Sequence, residues 1–222
     1  MIEWRTAALV AMMACMAQGS QDASRIRIVA MGDSTTAGTP GFQSPLEAPP
    51  GGRGDATSQY AWWLMQAHPE WLVLNKGVNG ERSDQIAARF QRDVLDERPG
   101  IVVLIAGVND VYQGRPVEHV TSQLRGMYDR AATAGIRVVA GTIVPYNTAT
   151  PEQNLKMREI NGWIRQQATG GGRVAFVDTR AAVARPGQAD MLSETPDQLH
   201  PSVAGYRAMA ESIGRIIEQI LR

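Results

Sequence analysis

The chain has one cysteine, Cys15, so no disulfide forms within it. One cysteine and three histidines are too few to build the usual cysteine-based zinc clusters. No run of lysine or arginine appears, and the 22 basic residues balance the 22 acidic ones. That leaves no electrostatic footprint for a nucleic acid partner. No apolar stretch is long enough to cross a bilayer, and no internal repeat or break in composition marks a second domain. The 44% hydrophobic content argues against wholesale disorder, and 222 residues suit one domain with one core.

The first residues stand apart from the rest. Met1 to Arg5 carries Glu3 and Arg5, Thr6 to Met16 is almost wholly apolar, and Ala17-Gln18-Gly19-Ser20 is small and polar. This resembles a secretory signal peptide over residues 1–19, followed by a single domain over 20–222. It predicts a mature chain starting near Gln18, in the periplasm or the medium, with a retained N-terminal helix and a cytoplasmic protein as the alternative.

From there strands and helices alternate. Ile26 to Met31 reads as a buried strand broken at Gly32. Leu72 to Asn75, Ile101 to Ile105, Ile136 to Val144 and Val174 to Val177 read as four more. Helices are expected over Ser58 to Ala67, from Ser83 through Val94, over Pro116 to Ala134, over Glu152 to Ala168 and from Ser202 to Leu221. Apolar strands alternating with helices predict a three-layer α/β/α sandwich, flavodoxin-like, around a five-stranded parallel sheet. A Gly- and Pro-rich loop, Thr39 to Thr57, is long for a connection inside such a domain.

In such a sheet the carboxyl ends of the strands converge on one crevice. Gly32-Asp33-Ser34, Asn75 to Gly80 and Gly107-Val108-Asn109-Asp110 all follow strands, and Asp197-Gln198-Leu199-His200-Pro201 precedes the last helix. A serine after a strand is often only a turn residue or a helix cap. It becomes a nucleophile when a base takes its proton, and a histidine oriented by a carboxylate serves near neutral pH. Asp197 and His200 are three residues apart, within one turn, and Pro201 holds His200 extended. His119 falls inside an expected helix away from these turns, which leaves His200 as the candidate base for Ser34.

These four blocks, in this order, resemble those of the SGNH (GDSL-type) hydrolases, over most of the chain from Ile26 onward. The resemblance implies that Ser34 attacks an ester carbonyl, His200 shuttles the proton and Asp197 orients His200. It also implies an oxyanion hole made of the Ser34 N–H, the Gly80 N–H and the Asn109 side-chain amide. By spacing from Asn75, that role falls on Gly80 rather than Gly77. One departure is Thr35-Thr36, where many members carry a leucine nearby, which would alter a pocket wall. The chemistry calls for no cofactor and no metal.

The expected partner is a small-molecule, glycan or lipid ester, with short acyl groups favoured because Thr39 to Thr57 offers few bulky apolar residues beyond Phe42 and Leu46. An acyltransferase, thioesterase or lysophospholipase on the same triad, a non-catalytic binding module and a phosphate-binding flavodoxin-like protein remain as alternatives. Oligomeric state is not encoded in any feature of the sequence.

Overall fold

The computed structural model describes residues 25–168 and 172–222. The proposed signal segment lies outside the described residues. Five parallel strands form the central sheet: β1 (Ile26–Gly32), β2 (Trp71–Gly77), β3 (Ile101–Ile105), β4 (Arg137–Gly141) and β5 (Val174–Val177). Their order is β2-β1-β3-β4-β5, the flavodoxin-like arrangement. The chain leaves β1 toward one edge and returns to the other side of it for β3. That reversal opens a crevice beyond the carboxyl ends of β1 and β3, where ligands of such sheets bind.

β3 is apolar and buried throughout because both of its faces are covered, and its neighbours are apolar along most of their length. Side chains alternate sides along a strand, and the two cores follow that alternation. Val29, Met31, Val102 and Leu104 meet α3 (Ser83–Ala88), α5 (Val117–Thr133) and α6 (Pro151–Gln167) through Ile86, Leu124 and Ile160. Ile28, Ala30, Ile101 and Val103 meet α2 (Tyr60–Ala67) and α8 (Val203–Leu221) through Leu64, Tyr206 and Met209. Trp62 and Trp63 are half-buried beside this second layer. The helix expected through Val94 ends at Ala88 and continues as a single π-type turn, Gln91–Leu95.

Three short helices occupy the strand ends: α1 (Ser34–Ala37), α4 (Val108–Tyr112) and α7 (Thr179–Val183). The expected strand Ile136 to Val144 is shorter in the structure and stops at Gly141, where β5 also ends. Beyond it, among the described residues, no strand pairs with Ile143. Instead the Asn161 side chain accepts from the Ile143 N–H at 2.7 Å and donates to its carbonyl at 3.0 Å. A helix side chain thus replaces the sheet ladder.

The long loop is not structureless. Phe42–Gln43 pairs antiparallel with Arg53–Gly54, and Ser44 Oγ donates to the Gly77 carbonyl at 2.6 Å. Glu47 binds both the Ser44 N–H at 2.8 Å and the Asn79 N–H at 2.9 Å, which ties the loop to the segment after β2.

Candidate active site

β1 delivers Ser34. Asp33 caps α1 by accepting from the Thr35 N–H at 3.0 Å, and Gly38 closes it with φ at 105°. Ser34 is therefore the first residue of a helix, and its N–H has no acceptor within that helix. Thr35 and Thr36 are fully buried and Thr36 Oγ1 accepts from the Tyr60 hydroxyl at 3.1 Å. They pack the base of α1 and do not wall a pocket, contrary to the expectation from sequence.

The segment before α8 delivers the histidine. His200 Nε2 lies 2.9 Å from Ser34 Oγ, and His200 Nδ1 lies 2.7 Å from Asp197 Oδ2. Asp197 Oδ1 accepts from the N–H groups of His200 at 2.8 Å and Leu199 at 3.0 Å. Burial pushes the Asp197 carboxyl up, but its bonds with the His200 ring and these two N–H groups outweigh that and hold it below the usual carboxylate range. An ionised Asp197 fixes the proton on Nδ1 and leaves Nε2 to accept from the serine hydroxyl. Ser34 and His200 are each 4% exposed, so water reaches this pair poorly.

The turn around Asp197 is held from a distance. Gln198 adopts a left-handed φ of 66°, and its carbonyl accepts from the Asn147 N–H at 2.7 Å. Asn147 Oδ1 accepts from the Leu192 N–H at 2.7 Å, which joins the turn to the strand Gln188–Leu192. The sequence contains no local signal for Asn147, because its partners lie 45 residues or more away.

The other two blocks separate into structural and exposed parts. Asn75 donates to the Ala37 carbonyl at 3.1 Å and to Gln59 Oε1 at 2.7 Å, so it anchors the end of α1. Gly77 packs directly under α1. Gly80 instead has φ of 77° and open space where a side chain would project. Asn109, in α4, donates one Nδ2–H to the Glu81 carbonyl at 2.9 Å, leaving its second N–H for another acceptor. Asp110 is fully buried and accepts from the Ser83 N–H at 2.7 Å and Ser83 Oγ at 2.8 Å, which clamps α4 to the start of α3.

Arg53 and Arg82 are engaged elsewhere, with Gln43 and with Asp84 and Gln113 respectively. His119, expected far from these turns, lies beside Asp110, with its Nε2 3.8 Å from Asp110 Oδ1. α5 starts only a few residues after α4, which brings its first turn back over the block. Asp84, Asp110 and His119 are the metal-capable donors that converge among the described residues, within 4.8 Å. Asp110 and Asp84 already spend their oxygens on Ser83 and Arg82.

The arrangement can take a proton from a serine hydroxyl and place an alkoxide against a bound carbonyl carbon. Comparisons with known proteins agree with that chemistry. Residues 30–208 match the model of the GDSL-like lipase/acylhydrolase family. An acetylxylan esterase of Geobacillus stearothermophilus is 29% identical over 183 residues, covering 75% of this chain and 83% of that protein. A lipolytic protein of the G-D-S-L family from Desulfitobacterium hafniense shares the fold with a TM-score of 0.69 at 24% identity, over 86% of this chain and 99% of that one. A catalytic mutant of an acetylxylan esterase from G. stearothermophilus, with serine replaced by alanine, superposes with a TM-score of 0.69 at 24% identity, over 87% and 94% of the two chains. The chain belongs to the GDSL-like lipase/acylhydrolase family and is a carboxylic ester hydrolase.

Proposed function

We propose that the chain hydrolyses esters of short acyl groups, acetyl to butyryl, through an acyl-enzyme on Ser34. The observation that carries this reading is the unbroken chain from Asp197 through His200 to Ser34 Oγ, at 2.7 and 2.9 Å. His200 Nε2 takes the Ser34 proton as Oγ bonds to the ester carbonyl carbon. The carbonyl oxygen becomes an oxyanion, met by the N–H groups of Ser34 and Gly80 and the free N–H of Asn109. Collapse breaks the bond to the alcohol oxygen, which takes the proton from His200. Water then repeats the sequence on the acyl-enzyme and releases the acid.

Support for short acyl groups comes from the loop that leaves the nucleophile. Phe42 turns inward against Gly52 within its own hairpin, and Leu46 is only half-buried. A lining that could reward each added methylene, at about 0.8 kcal/mol, is not supplied by this loop. The likeness to an acetylxylan esterase favours an acetyl group carried on a sugar hydroxyl.

A serine-directed phosphonate should label Ser34 and no other residue. Ser34→Ala should remain folded and lose ester hydrolysis, and Asp197→Asn should cost orders of magnitude through the wrong imidazole tautomer. Wild-type turnover by folded Ser34→Ala would end the reading. For the acyl group, kcat/KM for p-nitrophenyl esters should fall beyond butyrate. A steady rise to octanoate would reveal an acyl groove and refute the short-chain assignment. Acetylated xylooligosaccharides test the sugar assignment directly. Export is part of the same proposal, on the sequence of residues 1–19 alone. Mass spectrometry of the native protein should show a mature chain beginning near Gln18, and an intact Met1 in the cytoplasm would refute it.

A further inference from the structure

We infer that Arg89 is a positioning residue for the oxyanion hole. The inference rests on the oxyanion assignment above and adds the group that holds its parts in register. Arg89 ends α3, and its side chain is 9% exposed beneath the carboxyl ends of β1 and β2. Its guanidinium donates to the Gly32 carbonyl at 2.9 Å, to the Lys76 carbonyl at 2.8 Å, to Glu81 Oε2 at 2.6 Å and to Asp93 Oδ2 at 2.9 Å. Nη1, which makes the Lys76 and Asp93 bonds, also lies 3.3 Å from Met31 Sδ.

These partners carry the three donors. Gly32 is the last residue of β1, two before Ser34. Glu81 directly follows Gly80, and its backbone carbonyl is the acceptor that orients Asn109. One cation therefore fixes the base of the nucleophile turn, the carboxylate beside the glycine donor, and through Glu81 the amide donor. Two of its acceptors are carbonyls at the ends of β1 and β2, and the Gly32 carbonyl also accepts from the Val78 N–H at 3.2 Å, so the guanidinium joins a junction the strands already make. Asp93, 2% exposed, balances the charge from the other side and is itself held by Arg92.

Only arginine suits the position. Its donors lie in a rigid planar fork and can reach two carbonyls and two carboxylates at once, whereas a lysine ammonium radiates three donors from one point. Oxyanion donors stabilise charge only when aimed where it develops, so a small displacement lowers the rate without preventing substrate from binding.

The test is Arg89→Lys, which keeps the charge and loses the fork, with Glu81→Gln as a milder second variant. Both should stay folded by circular dichroism and lower kcat about 10–10²-fold with KM changed less than about threefold. A boronic acid that forms a tetrahedral adduct on Ser34 should lose affinity by the same factor as kcat/KM, while the alcohol product should bind as before. In an Asn109→Ala background Arg89→Lys should cost clearly less, because one of the donors it positions is already gone.

Unchanged kcat in either folded variant overturns the inference. So does a loss confined to KM, or a full loss that persists undiminished beside Asn109→Ala. Ser34→Ala separates the two levels. If it retains activity, the oxyanion assignment fails with the inference. If it is dead while Arg89→Lys is fully active, only the inference fails.

Discussion

At the scale of single residues, Asn109 and Asp33, each in a turn that follows a strand, are bonded in different ways. Asn109 holds one N–H on Glu81 and keeps its second for another acceptor, and the oxyanion role proposed for it would place its contribution in the transition state. Asn109→Ala should lower kcat by about 10²–10³ and move KM much less. A rise in KM alone would make Asn109 a substrate contact instead. Asp33 is the reverse case, a carboxyl 1% exposed and spent on a helix cap. Burial, only partly offset by the Thr35 N–H, pushes it up to about 7, and Asp110 adds to the rise. The folded chain therefore keeps this proton at pH values where the unfolded chain, titrating near ~3.9, has lost it. Its effect on stability is most favourable below about pH 4 and declines as pH climbs toward 7. Asn keeps an oxygen for the Thr35 N–H and cannot ionise. Asp33→Asn should therefore stabilise the protein at about pH 8 relative to about pH 5, by on the order of 1–4 kcal/mol. Urea unfolding at the two pH values measures it, and equal differences at both would show that Asp33 does not titrate in this range.

At the scale of elements, α1 is the part most exposed to small changes below it. A Cβ on Gly77 would lie 2.1 Å from the Ala37 nitrogen and 2.6 Å from the Thr36 carbonyl carbon. Gly77→Ala should therefore force α1 and β2 apart, and a shift of α1 would carry Ser34 with it. Activity should drop more than about tenfold with a stability loss of about 1–3 kcal/mol. Gly100→Ala, where a Cβ meets nothing, is the matched control and should be near neutral. Parallel measurements of kcat and Tm decide it, and wild-type kcat in Gly77→Ala would mean that β2 yields instead. The elements also show where sequence reading works. Long buried strands and the long helices announce themselves by unbroken apolar runs or by helical periodicity, and all five strands are found where those runs stand. α1, α4 and α7 have 4 or 5 residues each, too few for a period to register, so the motifs were legible as turns and not as helices. Ile143 and Val144 read as strand because they are apolar, yet strand pairing depends on what lies alongside. Asn147 gave no signal for the same reason, its partners being close in space and remote in sequence, and the Arg89 bond to the Gly32 carbonyl likewise spans 57 residues.

At the scale of the whole molecule, the sheet order puts every contributor on one edge. The turns after β1, β2 and β3 surround the reversal point, and the segment before α8 closes over it. The family assignment was legible because four blocks in fixed order are improbable by chance, while the tethers that hold them depend on three-dimensional neighbours. One pair, Ser34 and His200, spans 166 residues of chain. Under the proposed triad, hydrolysis would report on whether these two distant parts of the chain have met. During refolding, loops this long close late, after local helices have formed. Recovery of esterase turnover should lag behind the far-ultraviolet signal of helix formation and coincide with burial of Tyr206 on α8. An early return of turnover with the helical signal would mean that α8 docks first and draws its loop onto a nearly finished sheet. The Ser34–His200 pair is in that sense a clasp, and a substrate analogue that grips both halves should slow the unfastening of the terminal helix more than that of any other helix.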